Sequence, residues 1–531
     1  MFTLLLIFGL AVILFYYVFL KSQLYWSDRN VTQGPPIPII GDNLKTVMRK
    51  ESFFEMIKRL YIRFPNERYT GIYQMTTPTL MLRDPDLIKQ IAVKDFDYFT
   101  DRRSFVPDDC DPLWNKNLFV LKGEKWRDMR ATLSPAFTSS KMRAMFTLIN
   151  DCSKKFVDFH LEASKDGEIT VEMKDIFTRY SNDVIATCAF GVTCDSLKEP
   201  KNEFYEMGRE ASDFTSFIKN LKFFLYILMP KISKVINITL FNEKVSNFFK
   251  NLVKETIKLR EENGIVRPDM LNLMMEARKG RLKHEEANFN DTGFATVEES
   301  HIGKMQMKKH EITDIDITAQ ALIFFFAGFD TSSTLMSFMA YELAVNPDIQ
   351  AKLIAEVDDT YEECDGKLNY EKLATMKYMD LVISETLRKW PSVIAAERVC
   401  VKPYTIPAAK ESERPVNLVV GDAVWFPIVG IHYDPEYFSN PDTFDPDRYS
   451  EENKHNINSS TYFPFGIGPR NCIGSRFALM ETKTVFFQIL SKFEITVTSK
   501  TVIPVRMSKT QFNLTSEDGY WLGLKPRQYD A

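Results

Sequence analysis

The residues richest in chemistry lie near the C-terminus, in Phe463-Pro464-Phe465-Gly466-Ile467-Gly468-Pro469-Arg470-Asn471-Cys472-Ile473-Gly474. One cysteine sits in a loop whose Gly and Pro content breaks regular helix or strand. Directly after it, Ser475 to Leu490 carries Phe477, Met480, Thr484 and Phe487 at helical spacing. A cysteine just ahead of a helix N-terminus has its thiolate favoured by the positive end of the dipole. Loop N–H groups can also donate to the sulfur and tune a metal bound there. Gly468 and Gly474 would let the main chain approach a flat ligand where a Cβ would collide, and Arg470 adds a cation beside an anionic group. These are the parts of an axial-thiolate haem site with Cys472 as the iron ligand. The plainer alternative is a structural cysteine in a Gly-rich turn.

A second constellation lies in the apolar stretch Ile315 to Val345, which reads as a long central helix. Ala327-Gly328-Phe329-Asp330-Thr331 follows Phe324, Phe325 and Phe326. An acid and a hydroxyl in such surroundings are costly unless they serve a purpose. Gly328 removes a side chain where a flat cofactor could pass. Thr331 can bond back to a carbonyl one turn earlier and open the helix locally. The functional reading is a proton relay, with Thr331 positioning dioxygen and water at the metal and Asp330 connecting to bulk. The alternative is a polar pair satisfied within the helix.

Two further pairs need helices to align them. Trp126 and Arg130 stand at i and i+4, so an indole N–H and a guanidinium share one face and can bind a carboxylate together. Glu385 and Arg388 stand at i and i+3 on a helix that ends at Trp390-Pro391, a spacing that is common and often trivial.

The bulk properties narrow the classes. At 531 residues the length alone suggests two to four domains, but no Pro/Ser-rich linker interrupts the chain after residue 44, so one large fold is equally consistent. A net charge of −4 argues against nucleic acid as the main partner. The seven cysteines are scattered, odd in number and lack CxxC spacing, which fits a reducing compartment without disulfides or zinc clusters.

Phe2 to Leu20 is a nearly unbroken apolar run of bilayer-spanning length. Lys21, Arg29, Lys45, Arg49 and Lys50 follow it and no basic side chain precedes it, so the positive-inside rule leaves the body cytosolic. Gly34-Pro35-Pro36-Ile37-Pro38 is a semi-rigid strut. Tyr69 to Tyr73 and Thr79 to Leu82 read as a hairpin, Pro85 to Val93 as helix, and Phe105 to Leu118 as irregular chain. Residues 140 to 275 are mostly helical by periodicity. Within them Phe223 to Pro230 is either core or a segment dipping into a membrane interface. Residues 279 to 311 read as an exposed loop. Val401 to Asn440 alternates as short strands, and Gln511 to Tyr520 as a hairpin. The fold class is mainly α with a minor β component.

The pattern Phe465-x-x-Gly468-x-Arg470-x-Cys472-x-Gly474 resembles the haem-binding loop of the cytochrome P-450 family, and the resemblance spans nearly the whole chain. It implies the helix-rich triangular prism of that family. It implies an anchor at 1–20, a linker with proline-rich hinge at 21–43 and a haem-binding monooxygenase domain at 44–531, on the cytosolic face of the endoplasmic reticulum membrane. By the same resemblance Trp126 and Arg130 hold one haem propionate, Arg398 binds the second, and Arg102 and Arg470 are further propionate candidates. Phe465, Gly468, Gly474 and Ala327 contact the haem. Glu385, Arg388 and Arg448 form a buried scaffold triad. Asp447 and Tyr449 depart conservatively from the commoner Glu and Phe. Pocket residues are expected in Phe105 to Leu118, Phe204 to Phe224, Phe324 to Thr331, Ser392 to Glu397 and Gln511 to Asp518.

The implied cofactor is haem b, with NADPH and flavins acting through a membrane-bound NADPH–cytochrome P-450 reductase, since the chain has no dinucleotide fingerprint of its own. Cytochrome b5 is a further implied partner. The basic face with Lys122, Lys125, Arg127, Lys141 and Arg143 is either a solvated face or the docking surface of such a donor. The sequence style, including Ser134-Pro135-Ala136-Phe137-Thr138, resembles insect detoxifying members, which implies lipophilic foreign substrates such as plant toxins or insecticides. The alternatives are an endogenous lipid or hormone hydroxylase, a haem-thiolate isomerase that needs no outside electrons, and a non-catalytic membrane protein that binds haem or lipid.

Overall fold

A computed structural model describes residues 9, 12, 21–104, 106–108, 110–213, 219, 222, 225–226, 230–235, 238–280, 294–296, 312–411, 413–511 and 513–528. The apolar run Phe2 to Leu20, most of Phe223 to Pro230 and most of 279 to 311 lie outside them. Residues 21–43 lie against the body: Trp26 is fully buried, and a Cβ on Gly71 would meet its side chain at 2.5 Å.

The architecture is organised around one helix, Asp314–Val345. Thr313 and Asp316 cap its start reciprocally, the Asp316 N–H donating to Thr313 Oγ1 and the Thr313 N–H to Asp316 Oδ2. Asn346-Pro347 ends it, because proline cannot continue the hydrogen-bond ladder. Its apolar residues surround it instead of forming one stripe, so it is stable only when other elements cover every side. Among the described residues it is the one helix long and apolar enough to cross a bilayer, and 61% of its most apolar window is buried inside the protein.

We label the elements that matter to the site in chain order. They are α1 (Phe53–Ile62), α2 (Gly123–Leu133), α3 (Ser139–Ala163), α4 (Met173–Ile185), α5 (Asp314–Val345), α6 (Lys377–Lys389) and α7 (Ser475–Leu490). Helix α4 packs closely on α5, where a Cβ at Gly328 would come within 2.5 Å of Ile185. Phenylalanines knit α5 to its neighbours: Phe325 lies 5.6 Å from Phe204, 5.8 Å from Phe249 and 4.8 Å from Phe329, ring centre to ring centre.

Three small sheets complete the fold. The strands are β1 (Tyr69–Gln74), β2 (Thr77–Leu82), β3 (Ile169–Glu172), β4 (Ala396–Val399), β5 (Tyr404–Ile406), β6 (Val416–Leu418), β7 (Ala423–Phe426), β8 (Phe493–Val497) and β9 (Trp521–Pro526). Their orders are β1-β2-β7-β4, β3-β9-β8 and β5-β6. Strands β2 and β7 pair in parallel, Leu80 opposite Val424, although the helical body separates them in sequence. The fold is mostly helical with small sheets.

Three local expectations need correcting. The stretch Phe105 to Leu118 contains a short helix, Pro112–Asn115, because Asp111 caps it through the N–H groups of Leu113 and Trp114. In 279 to 311, read as exposed, Phe294 packs 4.8 Å from Tyr449 and 5.1 Å from Tyr462, and Ala295 is buried. The hairpin read at Gln511 to Tyr520 reduces to one bridge, Met507 with Ser516, flanked by two backbone bonds. Its arms are therefore shorter and start earlier than alternation suggests.

Candidate active site

The cysteine loop is neither helix nor strand, as its composition requires, and backbone bonds hold its shape. The Cys472 N–H donates to the Phe465 carbonyl at 2.8 Å, Asn471 N–H to Gly468 O at 2.9 Å, and Gly466 N–H to Phe463 O at 2.9 Å. Helix α7 begins at Ser475, three residues after the sulfur. The Gly474 N–H donates to the Cys472 sulfur. Burial nevertheless pushes the thiol up, with Gly474, Arg130 and Arg102 pulling the other way, so the helix terminus and loop amides alone do not favour the thiolate. Cys472 exposes surface even though burial dominates its titration, so the sulfur borders an enclosed space and not outer solvent.

Helix α5 also leaves surface open at its centre: Ala327, between buried Phe325 and Phe329, is exposed, and Thr331 one turn on is half-buried. Phe137 connects the two regions. Its ring lies 3.6 Å from where a Cβ on Gly474 would stand and 5.8 Å from Phe324, centre to centre. The small residue on the open side of α5 is therefore Ala327. Gly328, read as making room for a cofactor, instead makes room for Ile185 of α4. Gly468 needs its glycine for φ +76° and because a Cβ would strike the Ala92 carbonyl at 1.9 Å, so its close approach is to backbone and not to a ligand.

Arginines from three segments converge on the loop, which adds its own Arg470. Arg130 NH1 and NH2 donate to the carbonyl and side-chain oxygens of Asn471, both at 2.9 Å. Arg102 donates to the Arg470 carbonyl at 2.9 Å, and Arg398 on β4 to the Ile467 carbonyl at 3.2 Å. Arg470 donates to the carbonyls of Thr100 (2.7 Å), Phe119 (3.4 Å) and Leu121 (2.6 Å) and lies 4.1 Å over the Trp126 ring. It therefore also ties the 100–121 segment to the loop. Trp126 and Arg130 do share one buried face of α2, but Trp126 stacks on Arg470.

Charge in this cluster is unbalanced. Burial, and then Arg130, pushes Arg102 down to about 10; burial, and then Arg102 and Arg398, pushes Arg470 down to about 7. Burial and Arg102 push Arg398 well below its ordinary value. A guanidinium does not give up its proton in a protein, so these directions measure an unmet demand for anions. The nearby acids are partly committed: Glu397 takes Arg103 at 2.5 Å and the Trp425 indole at 3.0 Å, and Asp101 stands 3.7 Å from Arg470. Among the described residues the buried Arg398 Nε has no hydrogen-bond partner. A dianionic, flat group with a metal that takes a thiolate fits this donor set, and haem is such a group.

The scaffold triad is closed. Arg388 makes two bonds of 2.8 Å to Glu385, Arg448 Nε reaches Glu385 Oε1 at 3.3 Å, and Glu385 and Arg388 are fully buried. The arrangement joins α6 to the segment before the cysteine loop, where the Tyr462 hydroxyl donates to the Ser384 carbonyl.

The Thr331 hydroxyl donates to the Ala327 carbonyl, one turn back as its position suggests, but α5 runs through it without a break. Asp330 is not satisfied within its helix. Lys174 of α4 donates to its Oδ1 at 3.0 Å and Asn513 to its Oδ2 at 2.8 Å. Ser392 Oγ donates to the Thr331 carbonyl at 3.1 Å. Sequence reading missed Lys174 altogether, and placed Ser392 and Asn513 only within broad pocket segments, without these bonds. Lys174 and Asn513 lie 156 and 183 residues from Asp330, and no periodicity links positions so far apart. On the basic face, Lys122 pairs with Asp108, Arg127 with Asp97 and Arg143 with Glu371, which reduces its charge. All seven cysteines are free thiols.

The family model for cytochrome P450 matches residues 32–522. The chain is 46% identical over 517 residues to cytochrome P450 9e2 of Blattella germanica, covering 95% of this chain and 94% of that one. It is 40% identical over 530 residues to probable cytochrome P450 9f2 of Drosophila melanogaster, covering 98% of each. To cytochrome P450 6k1 of Blattella germanica it is 34% identical over 499 residues, covering 93% and 91%. The cysteine loop, its arginine collar and a match over nearly the whole length agree: the chain belongs to the cytochrome P450 family of haem-thiolate monooxygenases, and resembles its insect members.

Proposed function

We propose that this enzyme oxidises lipophilic foreign compounds, such as plant toxins or insecticides, with electrons that NADPH delivers through a membrane-bound reductase. Cys472 is the iron ligand in this reading, and Arg102, Arg130, Arg398 and Arg470 with Trp126 hold the carboxylates of the haem. Phe465, Ala327 and Gly474 border it. The observation that carries the reading is the excess of buried arginine around a cysteine that borders an enclosed space. When bound, haem supplies the activation of dioxygen, inserting one oxygen atom into the substrate and reducing the other to water.

The chain's own contribution is orientation, proton supply and exclusion of water. Loop N–H groups draw density from the sulfur, and the half-buried rings of Phe324 and Phe326 keep bulk water away. Thr331 commits its hydroxyl proton to the Ala327 carbonyl, which leaves the oxygen free to accept from a water. Asp330, next in the chain, exchanges protons with bulk. Phe2 to Leu20 is the membrane anchor in this reading, with the body on the cytosolic face of the endoplasmic reticulum.

The test is the absorption spectrum of the ferrous carbon monoxide complex, on the whole chain in detergent. A strongly red-shifted Soret band that disappears in Cys472→Ser is expected. A band at the position of neutral histidine ligation, or no haem, would overturn the assignment. Thr331→Ala with reductase and a lipophilic substrate is expected to divert NADPH to peroxide.

A further inference from the structure

Asp330 is held by residues on neither its own helix nor the cysteine loop. Lys174 spreads its three donors over the Asp330 carbonyl (2.9 Å), Asp330 Oδ1 (3.0 Å), Ser333 Oγ (2.8 Å) and Thr334 Oγ1 (2.7 Å). So many bonds to one helix make the ammonium a fixed part of α5. Asn513 differs: among the described residues a single neutral amide joins it to α5, at Asp330 Oδ2. An amide–carboxylate bond, with one charged partner, is weaker than an ammonium–carboxylate pair with two, so of the two holds on this carboxylate the Asn513 side yields first.

The two holds share one root. Glu172, the last residue of β3, accepts from the Asp175 N–H at 2.7 Å, which caps the helix carrying Lys174. Its other oxygen accepts from the Tyr520 N–H at 2.7 Å, where the loop carrying Asn513 runs into β9. The Arg506–Asp518 pair and the bond from Ser516 N–H to the Tyr520 hydroxyl brace the loop at its base. The base is thus tied down and only the tip bears on Asp330. Beyond the tip lies a small recess lined by Phe53, Phe54, Ile394, Ser508, Leu514 and Asn513 itself, with room for about one water.

We propose that Asn513 is a positioning residue for proton delivery: it fixes the oxygen of Asp330 that Lys174 leaves free, and so orients the acid next to Thr331 through this one bond. This rests on the relay reading of Asp330 and Thr331. The charged and titratable groups around the junction are Lys174, Glu172, Tyr520, Arg506 and Asp518.

The test uses the whole chain with reductase. In Asn513→Ala, product per NADPH is expected to fall at least about threefold, with peroxide making up the difference and the carbon monoxide band unchanged. Asn513→Asp should couple as poorly at pH 8 and recover as pH falls towards about 6, because a protonated carboxyl can donate to Asp330 as the amide does. Asn513→Ala should show no such recovery. Independently of activity, backbone hydrogen exchange in the 507–516 segment should accelerate at least about fivefold in Asn513→Ala and in Asp330→Ala. The double variant should add nothing further. Additive exchange effects, or equal pH profiles for the two Asn513 variants, overturn the proposal. If Thr331→Ala uncouples the enzyme but Asn513→Ala does not, this inference fails and the relay stands. If Thr331→Ala leaves coupling unchanged, both fail.

Discussion

Two groups of buried arginines flank the cysteine loop, and they are opposites. On one side Arg388 and Arg448 close on Glu385. Burial works against Arg388, yet its bonds to Glu385 hold it above its ordinary value. On the other side Arg102, Arg398 and Arg470 are all pushed below theirs by burial and by neighbouring arginines, Arg130 in the case of Arg102. A balanced buried network needs nothing from outside and acts as scaffold. An unbalanced one gains stability from an anionic ligand, and so marks where the ligand goes.

The largest effect should come from breaking the balanced side. Glu385→Ala leaves Arg388 buried without its carboxylate, at about 3–5 kcal/mol. Denaturant titration should show a protein that is largely unfolded with or without haem, and intact stability would mean the triad is no scaffold.

Arg398→Met on the unbalanced side should split two properties that Glu385→Ala moves together. It relieves repulsion while losing bonds to two carbonyls, so the haem-free protein should keep its stability to within about 1 kcal/mol. Its haem should dissociate at least about tenfold faster, since a buried charged hydrogen bond is worth more than about 1.4 kcal/mol. Transfer of haem to an acceptor protein measures the second, and a thermal melt of haem-free protein the first. Loss of stability without faster haem loss would erase the contrast between the two groups.

Glu481 extends the comparison to a buried acid without a cation. On α7, it receives the Ser181 hydroxyl at 3.0 Å and neighbours Ser332, and burial pushes it from 4.5 up to about 7. The folded state therefore binds its proton more tightly than the unfolded chain does. That contribution is complete below about pH 4.5 and is lost as pH rises through about 7, about 3 kcal/mol in all. Glu481→Gln should flatten this loss, so its melting temperature should fall less than the wild type's between pH 5 and 8.

The smallest effect belongs to the exposed pair Arg143–Glu371, 60% and 61% exposed. Replacing either by Ala should change stability by less than about 0.5 kcal/mol. Any effect on electron transfer from a reductase would then report docking and not folding.

Local chemistry makes much of this legible in the chain. The Gly and Pro around Cys472, the helix after it, the apolar helix around Asp330-Thr331 and the pairs Trp126/Arg130 and Glu385/Arg388 all rest on spacing within one turn or one loop. Such spacing is visible in residue order alone. The glycines are the instructive misreadings, since Gly328 and Gly468 make room for Ile185 and Ala92, and which atom a missing Cβ would strike is a property of the neighbouring element. The hairpin read at Gln511 to Tyr520 is likewise displaced, because one bridge at Met507 and Ser516 sets the register.

By itself the sequence determined the irregular cysteine loop, the acid–hydroxyl helix and a predominantly helical fold, since each follows from backbone preference or residue type at short range. Only the tertiary structure decided which charges are balanced, which small residue borders the site, and that Lys174 and Asn513 hold Asp330. Those depend on burial and on contacts between distant segments, and both arise only when the chain has packed around its central helix.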